Sequence, residues 1–230
     1  MKINNVRNLL LFVIVSLPAF AQGIQDNSFL AEEAYNQEPG VVQHIFNFQR
    51  AQHGGDWIGT FTQEWPMGSL QHQISYTIVE QRADGERSRD FALNYRYQLV
   101  GNGESKVAIA PRVSIFRSRK QVMIPVSIVV SPHFVTHWDL GATSNPRTIN
   151  AAQSVVWLVS ERFNALVETA WNGANHNRDL VISPGIRWAY NFPSKLQIVP
   201  GIAIPFDRTT HSRSIFLYLS FEHPFIRGGK

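Results

Sequence analysis

The sequence predicts an all-β fold, an antiparallel transmembrane up-and-down β-barrel of about 12 strands behind a cleaved signal peptide. Three observations predict it. The chain opens on an export signal, residues from 41 onward alternate apolar and polar almost everywhere, and the connections between alternating runs differ in length from one side to the other.

The export signal comes first. Lys2 and Arg7 precede an apolar run from Leu9 to Leu17, and Ala19-Phe20-Ala21 has the small-residue spacing of a cleavage site. Residues 1–21 are therefore expected to be removed. The run is too short for a spanning helix, which needs about 20 residues. No cysteine follows the cleavage site, so a lipid anchor is not expected, and an exported chain with Cys 0 uses no disulfides. With 230 residues less those 21, 209 remain, enough for one domain. Loss of Lys2 and Arg7 lowers the net charge from +4 to +2, so the pI of 9.6 overstates any case for nucleic acid, which is not expected as a partner.

Composition does not separate membrane from water here. The mean hydropathy of −0.14 looks soluble. A barrel whose strands show one face to lipid and the other to a wet lumen has the same average.

Order along the chain does separate them. Residues 22–40 have no clear period, carry Asp26, Glu32, Glu33 and Glu38 without a Lys or Arg, and read as a pre-barrel segment. Strands are then expected at 41–50, 56–65, 70–80, 90–100, 105–116, 122–131, 134–142, 154–160, 163–171, 180–192, 196–206 and 214–225. In 90–100, Phe91, Leu93, Tyr95, Tyr97 and Leu99 share one face and Ala92, Asn94, Arg96 and Gln98 the other. The run 154–160 is apolar on both faces and is the least typical. Most of these runs match the 9–11 residues of a tilted membrane strand. The barrel is expected over 41–225, with a tail at 226–230.

The odd-numbered connections, such as Gln81–Arg89 and Thr143–Gln153, look longer than the even-numbered ones, such as Pro132-His133. Outer-membrane barrels have short periplasmic turns and longer outer loops, so the expected location is the bacterial outer membrane with both termini periplasmic. Aromatic residues near strand ends, Trp57, Trp65, Trp138, Trp171, Trp188 and Phe206, suit interfacial girdles. A repeated unit is visible: Leu180-Val-Ile-Ser-Pro-Gly-Ile186 recurs as Leu196-Gln-Ile-Val-Pro-Gly-Ile202. Pro within a strand removes a ladder donor and Gly beside it marks a bulge or bend, so kinks are expected at both.

The segment Glu32-Glu33-Ala34-Tyr35-Asn36-Gln37-Glu38-Pro39-Gly40-Val41-Val42-Gln43-His44 resembles the start of bacterial outer-membrane barrels in the meta-pathway phenol-degradation transporter family. Pro184-Gly185-Ile186-Arg187-Trp188-Ala189 and Leu196-Gln197-Ile198-Val199-Pro200-Gly201 are similar to that family's late strands. The resemblance implies an outer-membrane barrel and a channel for small, aromatic molecules. One departure is that Phe225 is followed by Ile-Arg-Gly-Gly-Lys, whereas such barrels finish on an aromatic residue. The last strand keeps the form read by the barrel-assembly machinery, an expected partner.

Alternation nominates the functional residues. Asn47, Gln73, Asn94, Arg96, Gln98, Arg112, Glu168 and Arg187 should point inward and line a pore, where arginines would favour anions. The acidic segment is expected as a tail in the periplasm; the alternative is a plug paired with those arginines. Arg87, Arg89, Arg117, Arg119 and Lys120 cluster at one rim and suit phosphate contacts with outer-membrane lipids and lipopolysaccharide. No catalytic motif, cofactor or metal spacing is present. His133, His137, His176 and His211 are isolated candidate bases without a nucleophile signature. The expected function is a passive channel or uptake porin for small-molecule solutes. The alternatives are a non-transporting structural or lipid-interacting surface barrel and an outer-membrane lipid hydrolase.

Overall fold

The computed structural model describes residues 28–174 and 177–225; the signal peptide, His176 and the tail 226–230 lie outside them. The strands are β1 (Val41–Ala51), β2 (Trp57–Pro66), β3 (His72–Ala83) and β4 (Glu86–Tyr97). Next come β5 in two pieces (Val107–Ile109 and Arg112–Phe116), β6 (Lys120–Ser131), β7 (Phe134–Ser144) and β8 (Arg147–Ser160). The last four are β9 (Phe163–Ala174), β10 (Asn177–Trp188 and Tyr190–Asn191), β11 (Gln197–Ala203 and Phe206–Asp207) and β12 (Ser212–Pro224).

Each strand pairs antiparallel with its neighbours in sequence, and β1 pairs with β12 from Val41↔Pro224 to Ala51↔Ser214. The sheet is thereby a closed 12-strand barrel, as the alternation predicts. Closure leaves no strand edge, the arrangement that satisfies backbone polar groups inside a bilayer. Three strands are interrupted. Ala110-Pro111 splits β5, Ala189 splits β10, and Ile204-Pro205 splits β11.

The alternation becomes inside and outside. Leu93, Leu140, Val167, Ile215 and Leu217 face outward and are exposed, while Asn94, Glu168 and Arg187 face inward and are buried. The run 154–160 is explained by position. Val155, Trp157 and Val159 face outward, whereas Val156 and Leu158 join an apolar cluster inside the barrel with Leu166, Val199 and Phe216.

The expected difference in loop length is not found. Residues read as outer loops continue the ladder: β3 and β4 turn at Asp84-Gly85, and β7 and β8 turn at Asn145-Pro146. The longest connection, Gln98–Lys106, is on the opposite side. The reason is physical. Apolar alternation ends where lipid contact ends, but backbone pairing continues beyond it through polar residues. An even strand count places the start of β1 and the end of β12 at one rim, called the terminal rim below; the other is the distal rim.

The two Pro-Gly units also differ from expectation. β10 runs unbroken through Pro184-Gly185 and β11 through Pro200-Gly201. The glycines serve a close approach from inside the barrel.

Leu217 lies at an outward position midway along β12. Leu217→Arg is expected to destabilise the barrel by about 2–4 kcal/mol. Denaturant unfolding from lipid vesicles measures it.

Candidate functional site in the barrel lumen

The inward faces of the strands build a polar tube, and the chain's own N-terminal segment runs through part of it. Residues 28–38 pass from mid-barrel to the terminal rim. There Glu38-Pro39-Gly40-Val41 makes a turn into β1, with Gly40 at φ 84° and the Val41 N–H bonded to Glu38 O at 3.1 Å. Pro followed by a left-handed Gly is the sequence of a type II turn. The expectation of a tail lying in the periplasm is therefore corrected for these residues: the segment is inside the barrel.

A peptide outside any ladder needs hydrogen-bond acceptors that no neighbouring strand backbone supplies. Side chains of the wall supply them. Glu168 Oε1 accepts the N–H groups of Phe29, Leu30 and Ala31 at 3.0, 2.8 and 3.1 Å. Asp139 Oδ2 accepts from Glu32 at 2.7 Å, and Ser127 Oγ accepts from Ala34 at 2.8 Å. Gln98 imitates a strand neighbour: its Oε1 accepts from Asn36 N–H at 3.0 Å and its Nε2 donates to Ala34 O at 2.7 Å. Gln73 accepts from Gln37 N–H at 2.6 Å and donates to Glu64 at 2.8 Å. Charge adds to this. Glu32 receives Arg96 Nη2 on one oxygen at 3.1 Å and Arg112 Nη2 on the other at 2.6 Å, while Arg96 Nη1 donates to Tyr35 O at 2.9 Å. Hydrogen bonds with an ionised partner are about twice as strong as neutral ones.

Phe29 supplies the apolar anchor. Its ring lies 5.3 Å from that of Phe216 and 5.2 Å from that of Tyr218, within the interior apolar cluster. A Cβ built on Gly185 would stand 2.6 Å from the ring, and one on Gly201 2.7 Å. The repeated Pro-Gly units thus provide two adjacent flat places on the wall, and the ring fills the space two side chains would take.

All the expected pore-lining residues face the interior. Arg96, Arg187, Glu168, Asn94, Gln98 and Gln73 are buried, and Asn47 and Arg112 are half-buried. A pocket of about 190 Å³ remains between Glu32, Glu33, Asn47, Glu64, Arg96, Arg112 and Tyr218. A vestibule of about 330 Å³ opens at the distal rim beside Gln49, Gln81, Val181 and Asp207. Two larger hollows, of about 560 and 420 Å³, are lined mainly by outward residues such as Trp138 and Leu140 or Phe46 and Trp57, and belong to the lipid-facing side.

Several lumen residues were not anticipated: Phe29, Ser127, Asp139, Glu64 and Glu222. The last three were legible. Asp139, Glu64 and Glu222 occupy inward positions of expected strands, by the same alternation that selected Arg96. They alter the electrostatics. Among the inward wall residues at these levels, the carboxylates of Glu64, Asp139, Glu168 and Glu222 outnumber Arg96, Arg112 and Arg187, so arginine does not dominate the lumen.

At the distal rim, Arg87 and Arg89 are outward strand residues, and Arg89 is bonded to Glu80. Lys120 begins β6 facing outward, and Arg117 is exposed in the preceding turn. Arg119 turns toward the mouth, 3.3 Å from Asp90 and 4.0 Å over the Phe116 ring. His137 is buried in the lumen, with Nδ1 2.8 Å from Ser127 Oγ. Among the described residues no group of three or more metal-ligating side chains is found.

A closed barrel, apolar outside and polar within, defines a membrane barrel of the outer-membrane type. No family model matches the chain, and no curated protein does. Among solved structures it is similar to a KdgM porin, with a TM-score of 0.60 at 7% identity over 78% of this chain and 98% of that one. A KdgM porin in complex with disordered oligogalacturonate is similar at a TM-score of 0.54 and 8% identity, over 81% and 99%. At such identities the likeness is one of fold.

Gly201→Ala is expected to displace Phe29 and loosen the segment by about 1–3 kcal/mol, as overpacking does. Protease cleavage of the segment in the folded barrel reads this out. In a Phe29→Ala background the same substitution should cost nothing further; a cost that persists there would mean that the glycine serves the strand instead.

Proposed function

We propose that this chain is an outer-membrane channel for small solutes, closed at rest by its own N-terminal segment. The observation that carries the reading is the form of the closure. Wall side chains fill the lumen only in part, around the apolar cluster of Val156, Leu166, Val199 and Phe216; along residues 30–37 the space is taken by the segment. The wall presents acceptors and cations that hold a peptide, and a held peptide can leave. Glu168 and Asp139 each hold the segment through one carboxylate oxygen, by hydrogen bonds that water can replace when the segment leaves.

Once open, the wall favours cations and neutral solutes over anions. The inward carboxylates outnumber the inward arginines, and Glu86, Asp90, Asp179 and Asp207 add to them toward the distal mouth. Acidic rings select cations. A polyanion such as the oligogalacturonate of the KdgM complex does not suit this wall. Asn47, Gln73, Asn94, Gln98, Arg96, Arg112, Arg187 and Glu168 line the path in this reading. The small aromatic cargo implied by the family resemblance is compatible with it when uncharged.

A structural barrel that never opens is the second reading, favoured by the density of contacts along residues 28–38. A lipid hydrolase has less support. The hydrogen-bonded Ser127–His137 pair faces the lumen rather than a rim, and Ser127 Oγ already accepts from Ala34.

Planar-bilayer recording distinguishes these readings. The full chain should conduct rarely, and deletion of residues 24–38 should give steady channels. Persistent closure after deletion would support the structural barrel. In a salt gradient the deletion variant should show a reversal potential of cation-selective sign. Neutralising Glu64, Asp139 and Glu168 to Gln, Asn and Gln should move it toward anions; no movement would remove these carboxylates from the path.

A further inference from the structure

A second charge pattern lies on the outside of the barrel and does not depend on whether the lumen conducts. On six strands an outward apolar residue is followed, two positions nearer the distal rim, by an outward cation. The pairs are Phe48 and Arg50 on β1, Phe91 and Arg89 on β4, Val122 and Lys120 on β6, Ile149 and Arg147 on β8, Leu180 and Arg178 on β10, and Ile215 and Arg213 on β12. All six cations are exposed. Successive outward positions are about 7 Å apart along a strand. The cations therefore form a belt one row beyond the apolar surface, at the height where lipid phosphates begin.

The belt has few opposing charges. The outward carboxylate nearby, Glu80, is bonded to Arg89. Arg213 lies over the outward ring of Phe206, at 5.0 Å, which fixes its stem against the barrel and leaves its charge at the edge. The terminal rim is different. Its outward strand positions carry His44, Trp65, His72, Tyr97, Trp157 and Tyr190, an aromatic girdle without Lys or Arg.

A membrane with like leaflets would ask for like girdles. An unlike pair matches a bilayer in which one leaflet carries dense, divalent phosphate. Arg offers a planar fork that fits phosphate oxygens, and Lys adds a point charge. We propose that the belt of Arg50, Arg89, Lys120, Arg147, Arg178 and Arg213 is a binding surface for the phosphates of lipopolysaccharide lipid A. It follows that the distal rim lies at the outer leaflet and the terminal rim, with the start of β1 and the end of β12, faces the periplasm.

Full-length protein folded in neutral detergent is titrated with bisphosphorylated lipid A and with its dephosphorylated form, and bound lipid is counted by native mass spectrometry. The protein should retain the phosphorylated form at concentrations about tenfold lower. A variant with all six cations changed to Gln should lose that preference. A control with Lys106→Gln, Arg162→Gln and Lys195→Gln, in terminal-rim connections, should keep it. Equal retention of the two lipids by the unaltered protein, which needs no variant to fold, would overturn the proposal. So would equal loss in the control, or equally tight binding of phosphatidylglycerol per phosphate.

Discussion

A strand in lipid has no water to bond its N–H and C=O groups, so each must find a partner in the protein. The ladder between β1 and β12, from Val41↔Pro224 to Ala51↔Ser214, meets that demand for the last two edges. The other features follow from it. Closure forces every strand to show one face to lipid and one to an enclosed space. It brings the start of β1 and the end of β12 to one rim. It also creates a tube, and the tube must hold water, side chains or something else.

Here the enclosed space holds the chain's own N-terminal segment, and the same rule of backbone satisfaction governs it. Residues 29–37 have no ladder and bend at 29–31 and 34. Their N–H groups turn to Glu168, Asp139, Ser127, Gln98 and Gln73. These acceptors come from four strands and the connection after β4, so the segment ties together much of the wall. The apolar half of the anchoring is local, one ring against two glycines. Directional hydrogen bonds set the register of the segment, and Phe29 adds burial. Both are reversible attachments, which a covalent or fully packed closure would not be.

Charge is divided between the faces by the same alternation. Carboxylates fall mainly on inward positions, cations on outward positions near one rim. Glu32 compensates the two arginines that are closest together across strands β4 and β5. The arginines are then occupied by the segment, and the wall carboxylates set the charge a passing solute would meet. Arg96 and Arg112 stand on strands whose alternation is plain, whereas Glu64, Asp139 and Glu222 stand where it is less regular, so the sequence pattern displays the arginines more clearly than the carboxylates.

The sequence by itself determined the barrel, the number of strands and which side chains point inward, because alternation is a local property. A residue's neighbours two positions away state which face it shares, and Phe91 through Leu99 need no distant partner to say so. Ladder ends were less legible, since pairing beyond the lipid leaves no apolar signature at Arg82 to Arg89. Only the tertiary structure decided what fills the lumen. Phe29 and Glu168 are 139 residues apart, and no local pattern relates them. The purpose of Gly185 and Gly201 was likewise hidden. A glycine in a strand records that something must come close, and the ring that does so arrives from the far end of the chain, through a tube that exists only once the barrel has closed.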